Sequence, residues 1–208
     1  DEAVITSNGA LTLSNSASAV YTSGSGSTAI VFTYTVAEGD TTSTDLGVTA
    51  YTGTITDAAG GAAAATGTVD LGTVTVDGDA PDLVSVVDAG DAVLGVGETH
   101  VITVTYDEVV ITSDGALTLS NSASAVLTSG SGSTALVFTY TVAEGDSTST
   151  DLGVTAYTGT IADAAGGAAA ATGTVDLGTV SVDGDAPDLS SVAAADATYK
   201  IGDTISIT

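Results

Sequence analysis

The chain has no cysteine, no methionine and no tryptophan, and its 208 residues hold one lysine and no arginine. Without cysteine there are no disulfides, no thiol nucleophile and no thiolate metal site. Without a cationic footprint the chain cannot neutralise phosphates, which excludes nucleic acid as a partner and disfavours anionic membrane surfaces. No apolar run approaches the ~18 residues that a membrane span needs, so membrane insertion is not expected. No signal-peptide pattern opens the chain, which begins in mid-repeat and so says nothing about export. What is abundant is acid. Twenty-six Asp and Glu give a net charge of -25, yet charged residues are only 13% of the total and apolar residues 43%. Disordered acidic tails lack that apolar content, so the composition implies a folded acidic protein whose natural counter-charge is a divalent cation. A Cys-free, Lys-poor chain rich in Thr, Ser, Gly and Asp fits an exported bacterial surface protein better than a cytosolic enzyme. A saline habitat is a second source of such acidity.

The chain also repeats itself. Residues 1–83 return at 107–189, a shift of 106, with 76 of 83 pairs identical. The seven changes are mild: Ala3/Val109, Asn8/Asp114, Tyr21/Leu127, Ile30/Leu136, Thr41/Ser147, Thr56/Ala162 and Thr75/Ser181. A period this long is a whole domain rather than one turn of a solenoid. Strings of near-copies serve length or valency more often than chemistry.

Within a repeat the alternation is that of strands. Leu136, Phe138, Tyr140 and Val142 share one face while Thr139 and Thr141 take the other, with Val137 the exception; Ile102, Val104 and Tyr106 oppose Thr103 and Thr105. Period two with Thr on the wet face marks half-buried strands. The Gly/Ser stretch 129–133 and the Ala-Gly-Gly at 165–167 read as hairpin loops, and the alanine run 168–171 is too short to nucleate a helix. Seven strands are expected near 83–88, 99–106, 115–120, 124–129, 134–142, 152–161 and 170–182. That count in about 100 residues predicts an all-β fold of tandem immunoglobulin-like β-sandwiches, about 106 residues each. The linker Asp77-Gly-Asp-Ala-Pro-Asp82, repeated at 183–188, is stiffened by its proline. The expected division is a partial repeat lacking its first two strands (1–78), a complete repeat (79–184), and the first strands of a third (185–208). That last segment either belongs to a continuing array or completes the open repeat of a neighbouring chain.

Tyr106-Asp-Glu108, Leu117-Thr-Leu119, Ser129-Gly-Ser-Gly132, Leu136-Val-Phe-Thr-Tyr-Thr-Val-Ala143, Asp151-Leu152 and Gly159-Thr-Ile-Ala-Asp-Ala-Ala-Gly166, in that order, resemble the tandem bacterial Ig-like repeats of giant surface adhesins, many of them exported by type I secretion. The Asp-Gly-Asp-Ala-Pro linker is similar to the Asp-rich joints between such repeats. Gly167 and Gly61 depart from the pattern, which usually has Asn there. The resemblance covers essentially the whole chain. It implies extender repeats with calcium at their joints.

The residues bear on that implication directly. If the strands alternate up and down, the turn carrying Asp107 and Glu108, the 129–133 loop and the loop carrying Asp163 share one pole. The incoming linker brings Asp77, Asp79 and Asp82 to the same pole. These six are the expected Ca2+ ligands, with Asp1, Glu2, Asp57, Asp183, Asp185 and Asp188 as their equivalents. Carboxylates and backbone carbonyls suit Ca2+, Mg2+ wants stricter octahedral order, and no His/Cys set exists for zinc. At the other pole Asp88, Asp91, Glu98, Glu144, Asp146 and Asp151 either add ligands or solvate loops, as all these acids do in the plainest reading. Asp70 and Asp176 are expected to be exposed in the last strand.

Other chemistry is poorly supplied. His100 is the single imidazole and reads as a strand-mouth surface residue. Ser25 and Ser131 sit between glycines but have no base of their own. Paired carboxylates hydrolyse glycosides in a cleft usually lined by aromatics, and this chain has two Phe and seven Tyr. With Lys200 the sole amine, an isopeptide crosslink cannot recur in each repeat. Tyr51 and Tyr157 fit either surface or core. No enzyme activity is expected. The expected function is a calcium-stiffened spacer of a large extracellular or cell-surface bacterial adhesin, partnered by neighbouring repeats. Two alternatives are a subunit of an extracellular filament that homopolymerises head to tail by strand complementation, and a glycan- or ice-binding module using the Thr-rich faces.

Overall fold

The computed structural model describes residues 2–64, 67–170 and 172–208. They contain fourteen strands and no helix. In chain order these are β1 (Gly9–Leu13), β2 (Ser18–Ser23), β3 (Val31–Thr33), β4 (Gly47–Gly53) and β5 (Val69–Asp70) in the first copy. Then follow β6 (Leu83–Asp88), β7 (Ala92–Leu94), β8 (Thr99–Val110), β9 (Ala116–Leu119), β10 (Ser124–Ser129), β11 (Ser133–Thr141), β12 (Gly153–Thr158), β13 (Val175–Asp176) and β14 (Val180–Val182).

Residues 83–182 form a seven-stranded sheet, ordered β13-β12-β9-β10-β11-β8-β6, and a separate parallel pair, β14-β7. Alternation is what makes the sheet two-faced. Ile102, Val104, Leu136, Phe138 and Tyr140 are at most 1% exposed, and Phe138 pairs with Ile102 and Leu136 with Val104 across β11 and β8. The same cluster takes Leu117 and Leu119 from β9, Val154 from β12, and Val180 and Val182 from β14. The sheet therefore curls around a single core, giving a sandwich-like all-β architecture. Burying each such side chain contributes about 1.5–3 kcal/mol.

Two strand expectations need correction, and one strand was not expected. The second expected strand runs four residues further, to Val110, so Asp107 and Glu108 lie within β8 rather than in a turn. The expected last strand divides into β13 and β14, which lie in different sheets. β7, unforeseen in the sequence, pairs with β14 in parallel through Val180↔Ala92 and Val182↔Leu94. Ala171, in the alanine run, lies outside the described residues.

The first copy repeats the pairing order as β3-β2-β1-β4-β5, but no described strand in it corresponds to β6 or β8. Its core is correspondingly thinner. Val36, Leu71 and Val74 are 45%, 44% and 42% exposed, where their equivalents Val142, Leu177 and Val180 are 2%, 5% and 0%. β3 is three residues long where β11 is nine. Residues 189–208, which resemble 83–102, are largely exposed and held by an Ala194↔Ile207 bridge.

Candidate metal centre at the joint

The linker between the two copies is gripped from both sides. From the first copy, Gly39 N–H donates to the Gly78 carbonyl (2.8 Å), and Glu38 Oε1 accepts from Ala80 N–H (3.4 Å). From the second, Ala170 N–H donates to the Pro81 carbonyl (3.1 Å) and Asp107 N–H to that of Asp82 (3.1 Å). Asp107 Oδ1 in turn accepts from Asp82 N–H (2.9 Å). Gly78 passes so close to the first copy that a Cβ there would lie 2.0 Å from the Asp40 carbonyl oxygen, so only glycine fits.

β8 delivers the first site residue. His100, Ile102, Val104, Tyr106 and Val110 are buried, and Glu108 is half-buried on the same parity. The β11 partners jump from Val110↔Ser133 to Thr105↔Ala135, so residues 106–109 bulge out of the ladder. Such a bulge re-aims side chains at the end of a sheet. Along β8 itself the alternation runs on to Val110, which leaves Glu108 on the core side and Asp107 on the opposite side, against the linker.

Asp163 is the second. It is only 6% exposed. Its Oδ1 accepts three backbone N–H groups, from Ala165 (2.6 Å), Gly166 (2.7 Å) and Gly167 (3.0 Å). The Ala-Ala-Gly-Gly turn thus folds around one oxygen of this carboxylate. The other oxygen, Oδ2, is buried with no hydrogen-bond partner. Gly167 lies against it, where a Cβ would come to 2.3 Å.

Asp77, from the linker, is the third. One oxygen each from Asp77, Glu108 and Asp163 lie within 4.8 Å of one another. Two unit charges about 5 Å apart repel by roughly 3 kcal/mol at an effective dielectric of ~20. The crowding is visible in Glu108, whose pKa is pushed above the ordinary glutamate range by burial and then by the charges of Asp163, Asp77, Asp107 and Asp79. A cation held among the three carboxylates would remove that repulsion. Three hard oxygen donors with no nitrogen or sulfur suit Mg2+ or Ca2+ rather than zinc.

The cluster holds three of the six expected ligands. Asp79, Asp82 and Asp107 stand outside it. Asp82 is exposed, Asp107 caps the linker instead, and Asp79 donates its N–H to Asp77 Oδ1 (3.4 Å). Of the equivalents, Asp1 lies outside the described residues. Glu2, Asp57, Asp183, Asp185 and Asp188 form no further cluster among those described. Asp57 repeats the turn of Asp163, accepting from Ala59 and Gly61.

At the far pole the acids serve loop backbones. Glu98 accepts from Gly95 N–H, Asp91 from Thr179 N–H and Glu144 from Ala186 N–H. Asp146 Oδ2 accepts from Tyr140 O–H (2.7 Å) and Ala143 N–H (2.9 Å). Asp70 and Asp176 are exposed, as expected. His100 is not a surface residue. It is 2% exposed, and its Nε2 lies 2.8 Å from Asp88 Oδ2. Placing it on the core parity of β8 accounts for this, and that parity was readable from the sequence. Ser131 Oγ accepts from Thr112 N–H and so ties two loops together. Tyr157 is half-buried, with its ring 6.0 Å from that of Phe138 in an edge-on arrangement.

The chain matches no family model, no curated protein and no solved structure.

Proposed function

We propose that this chain is part of a calcium-stiffened spacer of a bacterial cell-surface or secreted adhesin, built from tandem immunoglobulin-like β-sandwiches. The observation that carries the reading is the origin of the three clustered carboxylates. Asp77 comes from the segment joining the copies, whereas Glu108 and Asp163 come from the copy that follows. An ion held by all three fixes the direction in which one copy leaves the next. The linker hydrogen bonds limit bending already, and the metal removes the electrostatic force that opens the joint. Calcium is favoured over magnesium because carboxylates drawn from a strand, a turn and a linker suit its flexible geometry better than the strict octahedron magnesium wants.

The strand order supports the immunoglobulin-like reading. β6, β8, β11 and β10 neighbour one another, β9 pairs with β12, and β7 joins β14 in parallel. Near-identical copies joined stiffly make a rod, and a rod projects whatever it carries. Export suits the mechanism too. A chain that is metal-free inside the cell gains stability by mass action once it meets extracellular calcium.

Small-angle scattering and thermal melting, each with calcium and with chelator, test the proposal. Calcium should lengthen the maximum dimension and raise the melting temperature of the 208-residue chain, with magnesium weaker at equal concentration. Identical scattering and melting curves in calcium and chelator would refute the metal-locked joint.

A further inference from the structure

The chain has three asparagines, Asn8, Asn15 and Asn121. The last two are locked in place. Asn15 and Asn121 are 6% and 8% exposed, and the Nδ2 of each donates to a tyrosine hydroxyl while its Oδ1 accepts a backbone N–H two residues on. Asn8 is exposed and is followed by Gly9, the first residue of β1. The Asn8 carbonyl oxygen accepts from two hydroxyls, Thr6 Oγ1 at 2.8 Å and Tyr51 Oη at 3.3 Å. The fold also demands glycine next to it. Gly9 has a φ of 143°, and a Cβ there would lie 2.5 Å from Tyr51 Oη and 2.8 Å from the Thr52 carbonyl oxygen.

These features meet the needs of one reaction. An asparagine side chain cyclises when the following backbone nitrogen, stripped of its proton, attacks Cγ. That N–H is a very weak acid, and its anion places charge on the peptide oxygen. Two hydroxyls donating to that oxygen stabilise the charge, as the donors of an oxyanion hole do. Glycine leaves the attacking nitrogen without a side chain beside it. We propose that Asn8 and Gly9 form a self-modifying site, at which the folded chain converts Asn8 to an acid through a cyclic imide. The bond from Gly9 N to Cγ forms and the Cγ–Nδ2 bond breaks. Nδ2 leaves as ammonia, carrying the proton lost by Gly9. Solvent water then opens the imide. Opening at Cγ gives aspartate in an unaltered backbone, and opening at the backbone carbonyl routes the chain through Cγ as isoaspartate. The second copy shows that the aspartate product fits. Asp114 holds the equivalent place before Gly115, and its carbonyl accepts from Thr112 Oγ1 (2.7 Å) and Tyr157 Oη (2.9 Å). Conversion adds a negative charge to the first copy and erases one difference between the two.

The full chain, folded, is incubated in heavy-oxygen water at mildly acidic and mildly alkaline pH and mapped by peptide mass spectrometry. The expected result is heavy oxygen entering and ammonia leaving at Asn8, at a rate that rises in proportion to hydroxide, with Asn15 and Asn121 unlabelled. Tyr51→Phe and Thr6→Val, each checked for a native circular dichroism spectrum, should each slow the conversion about fivefold, the worth of one hydrogen bond. Neither should change the rate in urea, where the hydroxyls no longer reach Asn8. If Thr6→Val does not fold, Tyr51→Phe, which removes one atom from a half-buried ring, decides. A folded chain that stays unlabelled at Asn8 overturns the proposal. So does an unchanged or faster rate in the folded variants.

Discussion

Glu108 and Asp163 bring carboxylate oxygens to within 4.8 Å of each other at the end of one β-sandwich, with the linker's Asp77 completing the group. One oxygen of Asp163 accepts three N–H groups of its own turn, and the other is buried without a hydrogen-bond partner. Like charges this close repel, and a cation held among them would relieve that repulsion.

Asp163→Asn separates charge from shape. Oδ1 must still accept three N–H groups, so the amide nitrogen takes the place of Oδ2 and donates toward Glu108 and Asp77. In chelator the variant should melt at or above the wild type, by an amount corresponding to about 1 kcal/mol. Its melting point should no longer rise with calcium. Calorimetry in the two conditions measures both signs.

Gly167→Ala probes the same oxygen from outside. The added Cβ would lie 2.3 Å from Asp163 Oδ2, so the carboxylate must turn. Calcium affinity should fall about tenfold, equivalent to ~1.4 kcal/mol, with circular dichroism unchanged. Titration calorimetry reads this directly, and full retention of affinity would place the ion elsewhere.

The first copy should open before the second. Each apolar side chain left half uncovered forfeits roughly 1 kcal/mol, and several in the first copy are so placed. Phe138→Ala should cost about 3–5 kcal/mol. Phe32→Ala, at the equivalent half-buried position, should cost about half as much. Hydrogen exchange should show amides of residues 9–53 exchanging faster than those of residues 99–141.

Alkaline melting should report on Tyr140. Its pKa is pushed up to about 12, first by burial and then by its bond to the Asp146 carboxylate. A raised folded pKa means the neutral phenol's contribution is fully present below the ordinary value of 10 and lost as pH climbs from 10 through about 12. The loss is on the order of 2 kcal/mol. Tyr140→Phe should flatten that part of the pH profile, which differential scanning calorimetry can follow.

Much of this was legible in the residues. The period of 106, the alternation in β8 and β11 and the glycine punctuation lead to an all-β repeat, because side chains on a strand must alternate faces. The joint was legible only in outline. The strand ladder placed Glu108, Asp163 and Asp77 at one pole but could not separate them from Asp79, Asp82 and Asp107. That choice depends on the path of the linker, whose Asp82 backbone occupies Asp107, and on the turn that folds around Asp163. His100 sits at a strand mouth, which suggests the surface, but the parity it shares with Ile102 and Val104 buries it.

By itself, then, the sequence determined the strand class, the copy length and the excess of acid, since each follows from local pattern and composition. Tertiary structure decided which carboxylates meet, which hydroxyls reach the Asn8 carbonyl and that β7 runs parallel to β14. Those depend on contacts between residues far apart in the chain, where a bulge of a few residues or the path of a turn moves a charge by several ångströms, and electrostatic and hydrogen-bond energies change steeply over that distance.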